Sequence, residues 1–431
     1  MKQETLEKFA GEIGNNFKQT EIGLIPEDWE VVKLGEVCKI TMGQSPPSST
    51  YNDKSIGLPF LQGKAEFGEI YPKPVKYCSK PLKIAQEGDI LISVRAPVGD
   101  VNIAPFKCAI GRGLASIKPL NTERLFLFYF LIYAKKRIEE EGTGSTFKAI
   151  RKSNLESFKI PLPPLSEQRK IARVLDKIQQ AIELQDRIIE QAERLKKSLM
   201  QKLFTEGLYG EEQKETEIGL IPKSWEVVKL GEVTNIKTST SSPTLIKEYI
   251  TSRPTNSEIA KILYLKVADL NLPINTTYII ESKEIIYAPR EVIDHFNVVP
   301  PFSIIFPKRG GAISTNKKRI TRFYSLIDPN LAAVTPSKAI NIIFLYYWFI
   351  TFDLLTITDR SPIPQLNKKD IEQIRIPLPP LEEQKQIAHI LSTIDKKIEI
   401  EQKRKQVLKA LFKTMLHKLM SGEIRLKEVE I

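Results

Sequence analysis

The sequence of 431 residues has little of several features that would mark a membrane, secreted or metal-binding protein. Its longest apolar run, Ile342 to Phe352, is shorter than the roughly 18 residues that a membrane-spanning helix needs. The first residues, MKQETLEKFAGEIGNN, contain no apolar stretch of a secretory signal, so the sequence predicts a cytoplasmic protein. Three cysteines, Cys38, Cys78 and Cys108, stand too far apart for a paired C-x-x-C zinc site and indicate reduced thiols.

Near matches to catalytic motifs each fail at a position that the chemistry requires. Gly57 to Lys64 resembles a phosphate-binding loop, but five residues separate the glycines and Ala65 replaces the magnesium-binding hydroxyl. Gly111 to Ser116 lacks the third glycine of a dinucleotide loop, and Val299 to Phe302 lacks the oxygen-bearing side chain of an amino-methyltransferase motif. A nuclease-like triplet arises easily by chance in a chain rich in Glu and Lys; its members are Asp269, Glu281 and Lys283. The sequence therefore predicts no catalytic residue, no cofactor site and no metal site in this chain.

The charge balance and an internal repeat are the strongest positive features. Lys and Arg number 64 against 52 Asp and Glu, a net charge of +12, which favours a polyanionic partner. TEIGLIPEDWEVVKLGEVCKI, beginning at Thr20, returns as TEIGLIPKSWEVVKLGEVTNI at Thr216, with 17 of 21 positions identical. IPLPPLSEQ at Ile160 returns as IPLPPLEEQ at Ile376. We name these segments the entry box and the proline box, and the chain is two such units in series.

Between the boxes the two units differ strongly, with weak echoes where the chain would be buried. GLASIKP at Gly113 matches NLAAVTP at Asn330, and the strand-like DILISVR at Asp89 is echoed by SIIFPKR at Ser303. We interpret the two regions as one scaffold with two different reading surfaces. Drift after duplication is the alternative.

Each proline box is followed by a long stripe of apolar residues on alternating steps of three and four, which predicts a helix of about 38 residues, roughly 57 Å long. The matching stripes predict that the two helices pair antiparallel; the alternative is two helices that each pack on their own domain. The pairing residues are predicted to be Ile171, Leu175, Ile178, Ile182, Ile189, Leu199, Ile387, Leu391, Ile394, Ile398, Leu408 and Met415.

The predicted fold is of the α+β class: two globular mixed α/β domains separated by two long antiparallel coiled-coil helices in a pseudo-twofold tandem repeat. We place the first domain at 1–158, the first proline box and helix at 159–209, the second domain at 210–375, and the second proline box and helix at 376–431.

Basic and amide side chains in loops of the variable regions are the candidate DNA contacts, because Lys and Arg neutralise phosphates and Arg reads guanine. Equivalent polar segments precede the two proline boxes, and Ala149 against Gln365 and Arg151 against Asn367 mark where the two copies would read differently. A solvated basic face is the alternative for any one of them. The candidates are Arg95, Lys107, Arg112, Lys148, Arg151, Lys152, Lys308, Arg309, Lys317, Lys318, Arg319, Arg322, Gln365 and Lys368.

The duplicated T-E-I-G-x-I-P-x-x-W and I-P-L-P-P-L-x-E-Q boxes, with the helix ends LMQKLFTEG at Leu199 and MLHKLMSGE at Met415, resemble the specificity subunits of type I restriction-modification systems. The resemblance covers essentially the whole chain. It implies two target-recognition domains that each read one half of a split, asymmetric double-stranded DNA site, with the helix pair as spacer. It also implies two modification subunits that dock on this chain, and restriction subunits, with S-adenosylmethionine, ATP and Mg²⁺ on those partners.

Two rival functions remain at this stage. A self-sufficient methyltransferase or nuclease would need an unrecognised site, and a protein-only scaffold would have no role in DNA binding.

Overall fold

The computed structural model describes residues 17–142, 149–252, 258–359 and 361–426. The chain divides into two compact units: unit 1 holds Met1–Arg187 and Gln402–Ile431, and unit 2 holds Ile188–Glu401. This division differs from the four predicted segments, because each unit contains one variable region, the first half of one long helix and the second half of the other. Among the described residues, no helix combines the length and the apolar composition that crossing a membrane requires.

Unit 1 is built from short strands and four short helices ahead of the first long helix, α5. Its strands are β1 Phe17–Thr20, β2 Gly23–Pro26, β3 Glu30–Lys33, β4 Cys38–Met42, β5 Tyr51–Asn52, β6 Leu58–Leu61, β7 Lys76–Cys78, β8 Ile84–Ala85, β9 Ile90–Ser93, β10 Val101–Ile103, β11 Cys108–Ile110, β12 Leu114–Pro119 and β13 Lys159–Leu162. Its helices are α1 Leu34–Val37, α2 Arg124–Tyr133, α3 Lys135–Glu140, α4 Lys152–Ser157 and the first half of α5 Leu165–Glu206.

Unit 2 follows a similar order, with additional short helices in its variable region. Its strands are β14 Gln213–Thr216, β15 Gly219–Pro222, β16 Glu226–Lys229, β17 Thr234–Lys237, β18 Ile259–Leu265, β19 Tyr278–Ile279, β20 Glu284–Pro289, β21 Ile304–Pro307, β22 Arg319–Thr321, β23 Tyr324–Ile327, β24 Leu331–Pro336 and β25 Arg375–Leu378. Its helices are α6 Leu230–Val233, α7 Pro243–Ser252, α8 Glu291–His295, α9 Ile342–Thr351, α10 Lys368–Glu372 and the first half of α11 Leu381–Met420.

The four strands of the main sheet of unit 1 recur in the same order in unit 2, where β19 is added at the edge beside β22. The strand order is β10-β9-β12-β4 in unit 1 and β19-β22-β21-β24-β17 in unit 2. All four residues of β9 are buried, and so are all four of β21. In unit 1 one face of β9 packs in the cluster that contains α2 and the other in a cluster with Leu61 and Ala85. The strands therefore read as continuous apolar runs because both faces are covered.

A second sheet in each unit contains a matching parallel pair. In unit 1 the order is β5-β7-β6-β11-β8, with β11 parallel to β6. In unit 2 the order is β20-β18-β23, with β23 parallel to β18. The two variable regions thus share a framework in both sheets despite their divergent sequences.

The aromatic helices α2 and α9 fill the core of their units and are fixed by the glutamine of each proline box. Oε1 of Gln168 accepts a hydrogen bond from the Glu123 backbone N–H at 2.9 Å, and Oε1 of Gln384 accepts one from the Asn341 backbone N–H at 2.7 Å. Both glutamines are buried. Because Glu123 and Asn341 are the N-cap residues of α2 and α9, the proline box sets where each aromatic helix begins.

Both long helices are present, with 42 residues in α5 and 40 in α11. In unit 1 the start of α5 packs with the end of α11: Ile171 and Leu175 share a core with Leu416 and Leu419. In unit 2 the order is reversed, and Ile387 and Leu391 of α11 share a core with Met200 and Leu203 of α5.

Antiparallel pairing is therefore confirmed within each unit. Polar contacts agree with it, since Lys405 pairs with Asp186 in unit 1 and Lys196 with Asp395 at 2.6 Å in unit 2. The alternative of two helices on separate domains is wrong. All twelve predicted pairing residues are buried or partly buried, among them Ile178, Ile182, Ile189, Leu199, Ile394, Ile398, Leu408 and Met415.

A buried carboxylate joins the entry box to the proline box. Oε2 of Glu167 accepts the indole N–H of Trp29 at 3.1 Å, and Oε2 of Glu383 accepts that of Trp225 at 3.0 Å. Both indoles are fully buried. The near-identity of the two boxes thus has a physical cause, because each box supplies one partner of a buried hydrogen bond.

The same carboxylates bind the chain segment that follows the opposite helix end. In unit 1, Arg425 donates to both oxygens of Glu167 at 2.8 Å and to Asp28 at 2.8 and 2.9 Å. In unit 2, Oε1 of Glu383 accepts the backbone N–H of Leu208 at 2.9 Å. Burial alone would lower the pKa of Arg425, but the hydrogen bonds to Glu167 and Asp28 hold it above its ordinary value.

Replacing Arg425 with alanine leaves the Glu167 carboxylate buried with its main cationic partner removed. The expected loss is about 3–5 kcal/mol in the free energy of unfolding of unit 1, the usual effect of breaking a buried ion pair. Chemical denaturation measures it. The matched control is Arg194→Ala, which removes an exposed pair with Glu190 and is expected to cost about 0.5 kcal/mol or less. Equal effects of the two substitutions would contradict the structural role of Glu167.

Candidate nucleic-acid interface

In each unit the predicted polar segment lies against the end of a central strand of the main sheet. The carbonyl of Val94, just after β9, accepts the backbone N–H of Ile150 at 3.0 Å, and Arg95 pairs with Ala149 across an isolated antiparallel bridge. In unit 2 the carbonyl of Lys308 accepts the N–H of Leu366 at 2.9 Å, and Arg309 pairs with Gln365. The structure thus brings together two groups of predicted residues that are far apart in sequence. We call this junction, Arg95 with Ala149 in unit 1 and Arg309 with Gln365 in unit 2, the arginine seam.

Both arginines at this seam are exposed. Neither guanidinium has an acidic or hydrogen-bonding partner among the described residues. Lys308 adds positive charge beside Arg309, and its pKa is lowered first by burial and then by the neighbouring Arg309 charge. Concentrated positive charge without a counter-ion is the electrostatic feature that a phosphate backbone binds.

Arg112 and Lys107 lie at opposite ends of β11. Arg112 is exposed in the turn from β11 to β12, and its backbone N–H donates to Oγ of Ser45 at 3.1 Å. Val94 donates its N–H to the carbonyl of the neighbouring Gly113, so Arg112 belongs to the same seam as Arg95. Lys107 is exposed but precedes β11, and the structure does not bring it to the seam.

The prediction that Lys318 contacts DNA is wrong. Its side chain is 1% exposed, and its ammonium donates to Oδ1 of Asn316 and to the carbonyl of Phe352, both at 2.7 Å. Burial lowers the pKa of Lys318 to about 7. Because the ammonium is enclosed, this lysine joins the loop after β21 to the end of α9 instead of meeting a phosphate.

Its neighbours are also engaged within the fold. Arg319 donates to the carbonyls of Asn275 at 2.9 Å and Lys318 at 2.8 Å. Lys317 bonds to Asn271. The exposed Arg322 stacks over the ring of Tyr278, with 3.9 Å from its guanidinium carbon to the ring centroid. DNA contact by these three residues stays a prediction.

The remaining candidates that the structure describes lie at the starts of the short helices α4 and α10. Lys152 and Lys368 are exposed at equivalent positions and pair with Glu156 at 3.2 Å and Glu372 at 3.7 Å. Arg151 is exposed at the N-cap of α4. Lys148 lies outside the described residues.

Sequence reasoning missed exposed lysines in and around the second sheet of unit 1. Between Tyr71 and Lys83 they are interspersed with exposed apolar side chains, such as Tyr71 at 51% and Val75 at 73%. The signal was visible as the alternation of lysine with apolar residues in YPKPVKYCSKPLK. The lysines are Lys54, Lys73, Lys76, Lys80 and Lys83.

Comparisons with known proteins agree with this architecture. A Methanocaldococcus jannaschii protein provisionally named the type I restriction enzyme MjaX specificity subunit is 60% identical over 195 residues, which are 44% of this chain and 46% of that protein. The MjaVIII specificity subunit of the same organism is 28% identical over 425 residues, 96% of this chain and 97% of that one.

A crystal structure of the S subunit of a type I restriction-modification system from M. genitalium has the same fold, with a TM-score of 0.58 at 18% identity, covering 95% of this chain and 98% of that one. The family model described as the type I restriction modification DNA specificity domain matches twice, at residues 26–194 and 222–410. Because these two copies cover most of the sequence, the chain belongs to the type I restriction-modification DNA specificity family.

Proposed function

We propose that each unit of this specificity subunit reads one half of a bipartite, asymmetric DNA site, and that the paired helices fix the spacing between the halves. The observation that supports this most is the exposed arginine seam, which recurs in both units on the same framework with different surrounding side chains. Two weak contacts held at a fixed separation raise each other's effective concentration, so the spacing becomes part of the specificity. The chain would act in the cytoplasm.

The chain itself would carry out no chemistry. Methylation would belong to modification subunits that bind S-adenosylmethionine, and cleavage to restriction subunits that use ATP and Mg²⁺; this chain would hold no cofactor. Two modification subunits are proposed because exposed apolar residues recur at the same repeat positions. The pairs are Leu24 and Leu220 at 62% and 50% exposure, Leu165 and Leu381 at 45% and 40%, and Leu184 and Ile400 at 52% and 48%. A single exposed leucine is ordinary, but three repeated pairs favour two copies of one partner.

Substituting two of these repeated exposed apolar residues in one unit is expected to remove one partner. In a Leu24→Asp/Leu184→Asp variant, two charges oppose an apolar contact, so the complex should retain one modification subunit instead of two. Mass photometry of the assembled complex measures the stoichiometry. Val407→Asp is the control, because Val407 is 67% exposed but Gln191 occupies the equivalent position of the other helix. Two bound subunits in the double variant would exclude this docking surface.

If the paired helices act as a spacer, lengthening both of them should increase the preferred DNA spacer by a defined number of base pairs. Seven residues inserted between Asp186 and Lys196, and seven between Asp395 and Lys405, add about 10 Å to both helices and keep the apolar stripes in register. The preferred DNA spacer should then grow by about 3 base pairs at 3.4 Å each, with both half-sites unchanged. Sequencing of methylated sites reads this out. Insertion into α5 alone should disrupt the pairing of α5 with α11. An unchanged DNA spacer in the variant with both insertions would rule out the role of the helices in setting it.

Assays of turnover and of DNA binding distinguish the proposed function from its two rivals, an independent enzyme and a protein-only scaffold. The purified chain, incubated with duplex DNA and either S-adenosylmethionine or Mg²⁺, is expected to show no methylation and no cleavage; turnover without partners would make it an enzyme.

With modification subunits present, the logarithm of the DNA affinity should fall linearly with the logarithm of the salt concentration, with a slope of about −5 if six phosphates are neutralised. The absence of salt-dependent duplex binding, even with the modification subunits present, would favour a protein-only scaffold.

A further inference from the structure

Four backbone hydrogen bonds around the arginine seam recur at equivalent positions in both units. In unit 1, Gly111 N–H donates to Leu61 O at 2.8 Å, and Leu114 N–H donates to Gly111 O at 3.0 Å. In unit 2, Asp328 N–H donates to Leu265 O at 3.0 Å, and Leu331 N–H donates to Asp328 O at 3.1 Å. These bonds connect the end of the parallel strand pair in the second sheet to the start of β12 or β24 in the main sheet.

Two further bonds complete the correspondence. Val94 N–H donates to Gly113 O at 2.9 Å, and Lys308 N–H donates to Asn330 O at 2.8 Å. The bonds from Ile150 to Val94 and from Leu366 to Lys308, described above, match as well. Equivalent residues are therefore defined by their backbone partners without any reference to side chains.

Five positions surround this crossing of the two sheets, and we call them the corner. The corner of unit 1 is Gln62, Arg95, Arg112, Ala149 and Arg151, and that of unit 2 is Lys266, Arg309, Pro329, Gln365 and Asn367. Eight of these ten residues are exposed, while Ala149 and Gln365 are partly buried. Only the arginine pair, Arg95 and Arg309, is the same in both units.

The close approach of the two sheets in unit 1 requires glycine. A Cβ on Gly113 would lie 2.4 Å from the carbonyl oxygen of Gln62, and one on Gly43 would lie 2.1 Å from that of Gly111. The crossing therefore places Gln62 beside Arg112, although 50 positions separate them in the sequence. In unit 2, Asp328 and Asn330 occupy the positions of Gly111 and Gly113 and make the corresponding backbone hydrogen bonds.

We infer that the corner is the base-reading site of each unit, and that the four positions that differ between the units determine the two half-sites; this rests on the proposed function. The residue types fit direct reading, since Arg and Lys bond to guanine, and Gln and Asn bond to adenine, in the major groove. When these backbone connections are kept and the side chains differ, the bases that are read change while the docking geometry is retained. The shared arginine is the common anchor on the DNA.

Substitution within one corner should alter one half-site only. In the complex of the full chain with its modification subunits, Gln62→Ala and Arg112→Ala are expected to reduce discrimination about 5- to 150-fold at one or two adjacent base pairs of one half-site, the range for a lost bidentate contact. Lys266→Ala and Gln365→Ala should do the same in the other half-site. Arg112→Lys, which keeps the charge but not the planar fork of donors, should lose part of the same discrimination.

The controls are exposed lysines at or beyond the ends of β12 and β24 that lie away from the corner, Lys118→Ala in unit 1 and Lys338→Ala in unit 2, which should leave the recognised sequence unchanged. The readout is sequencing of methylated sites on a randomised DNA library, with melting temperatures confirming that each variant is folded. Loss confined to one half-site supports the assignment. An unchanged motif, or uniformly weaker methylation of all sequences, overturns it. If the complex with the wild-type chain methylates no bipartite motif at all, the proposed function itself fails.

Discussion

Each unit depends on one buried carboxylate at the start of a long helix. Glu167 and Glu383 accept the indole N–H of an entry-box tryptophan and also bind the segment that follows the end of the other helix. A buried charged acceptor without its donors is costly, so the entry box, the proline box and both helix ends must be present together. This requirement explains why the two boxes repeat almost unchanged while the sequence between them does not.

The variable regions diverge in side chains but keep their backbone connections. The main sheet has matching registers, with Ile90 opposite Ile117 and Ile304 opposite Val334, and these ladders use only backbone groups. Exposed side chains at strand ends are therefore free to change without loss of the fold. A recognition protein gains from this separation, because new base contacts do not require a new scaffold.

The sequence predicted the repeat, the family, the long helices and their antiparallel pairing, because each rests on a local pattern that occurs twice. It also named Arg95, Arg309 and the segments before the proline boxes as candidate DNA contacts, but only the structure shows that they lie side by side. It failed for Lys318, because the carbonyl of Phe352 that encloses this lysine comes from a helix 34 residues away. Gln62 and Lys266 were missed because parallel pairing of β6 with β11 and of β18 with β23 has no local sequence signal.

Hydroxyl-radical footprinting of the complete complex on its methylated sequence is the most direct measurement of bipartite recognition. Two protected segments of different sequence, separated by a spacer of constant length whose base composition varies freely, are expected. One continuous protected segment with sequence preference throughout, or protection that does not depend on sequence, would contradict recognition by two separate units.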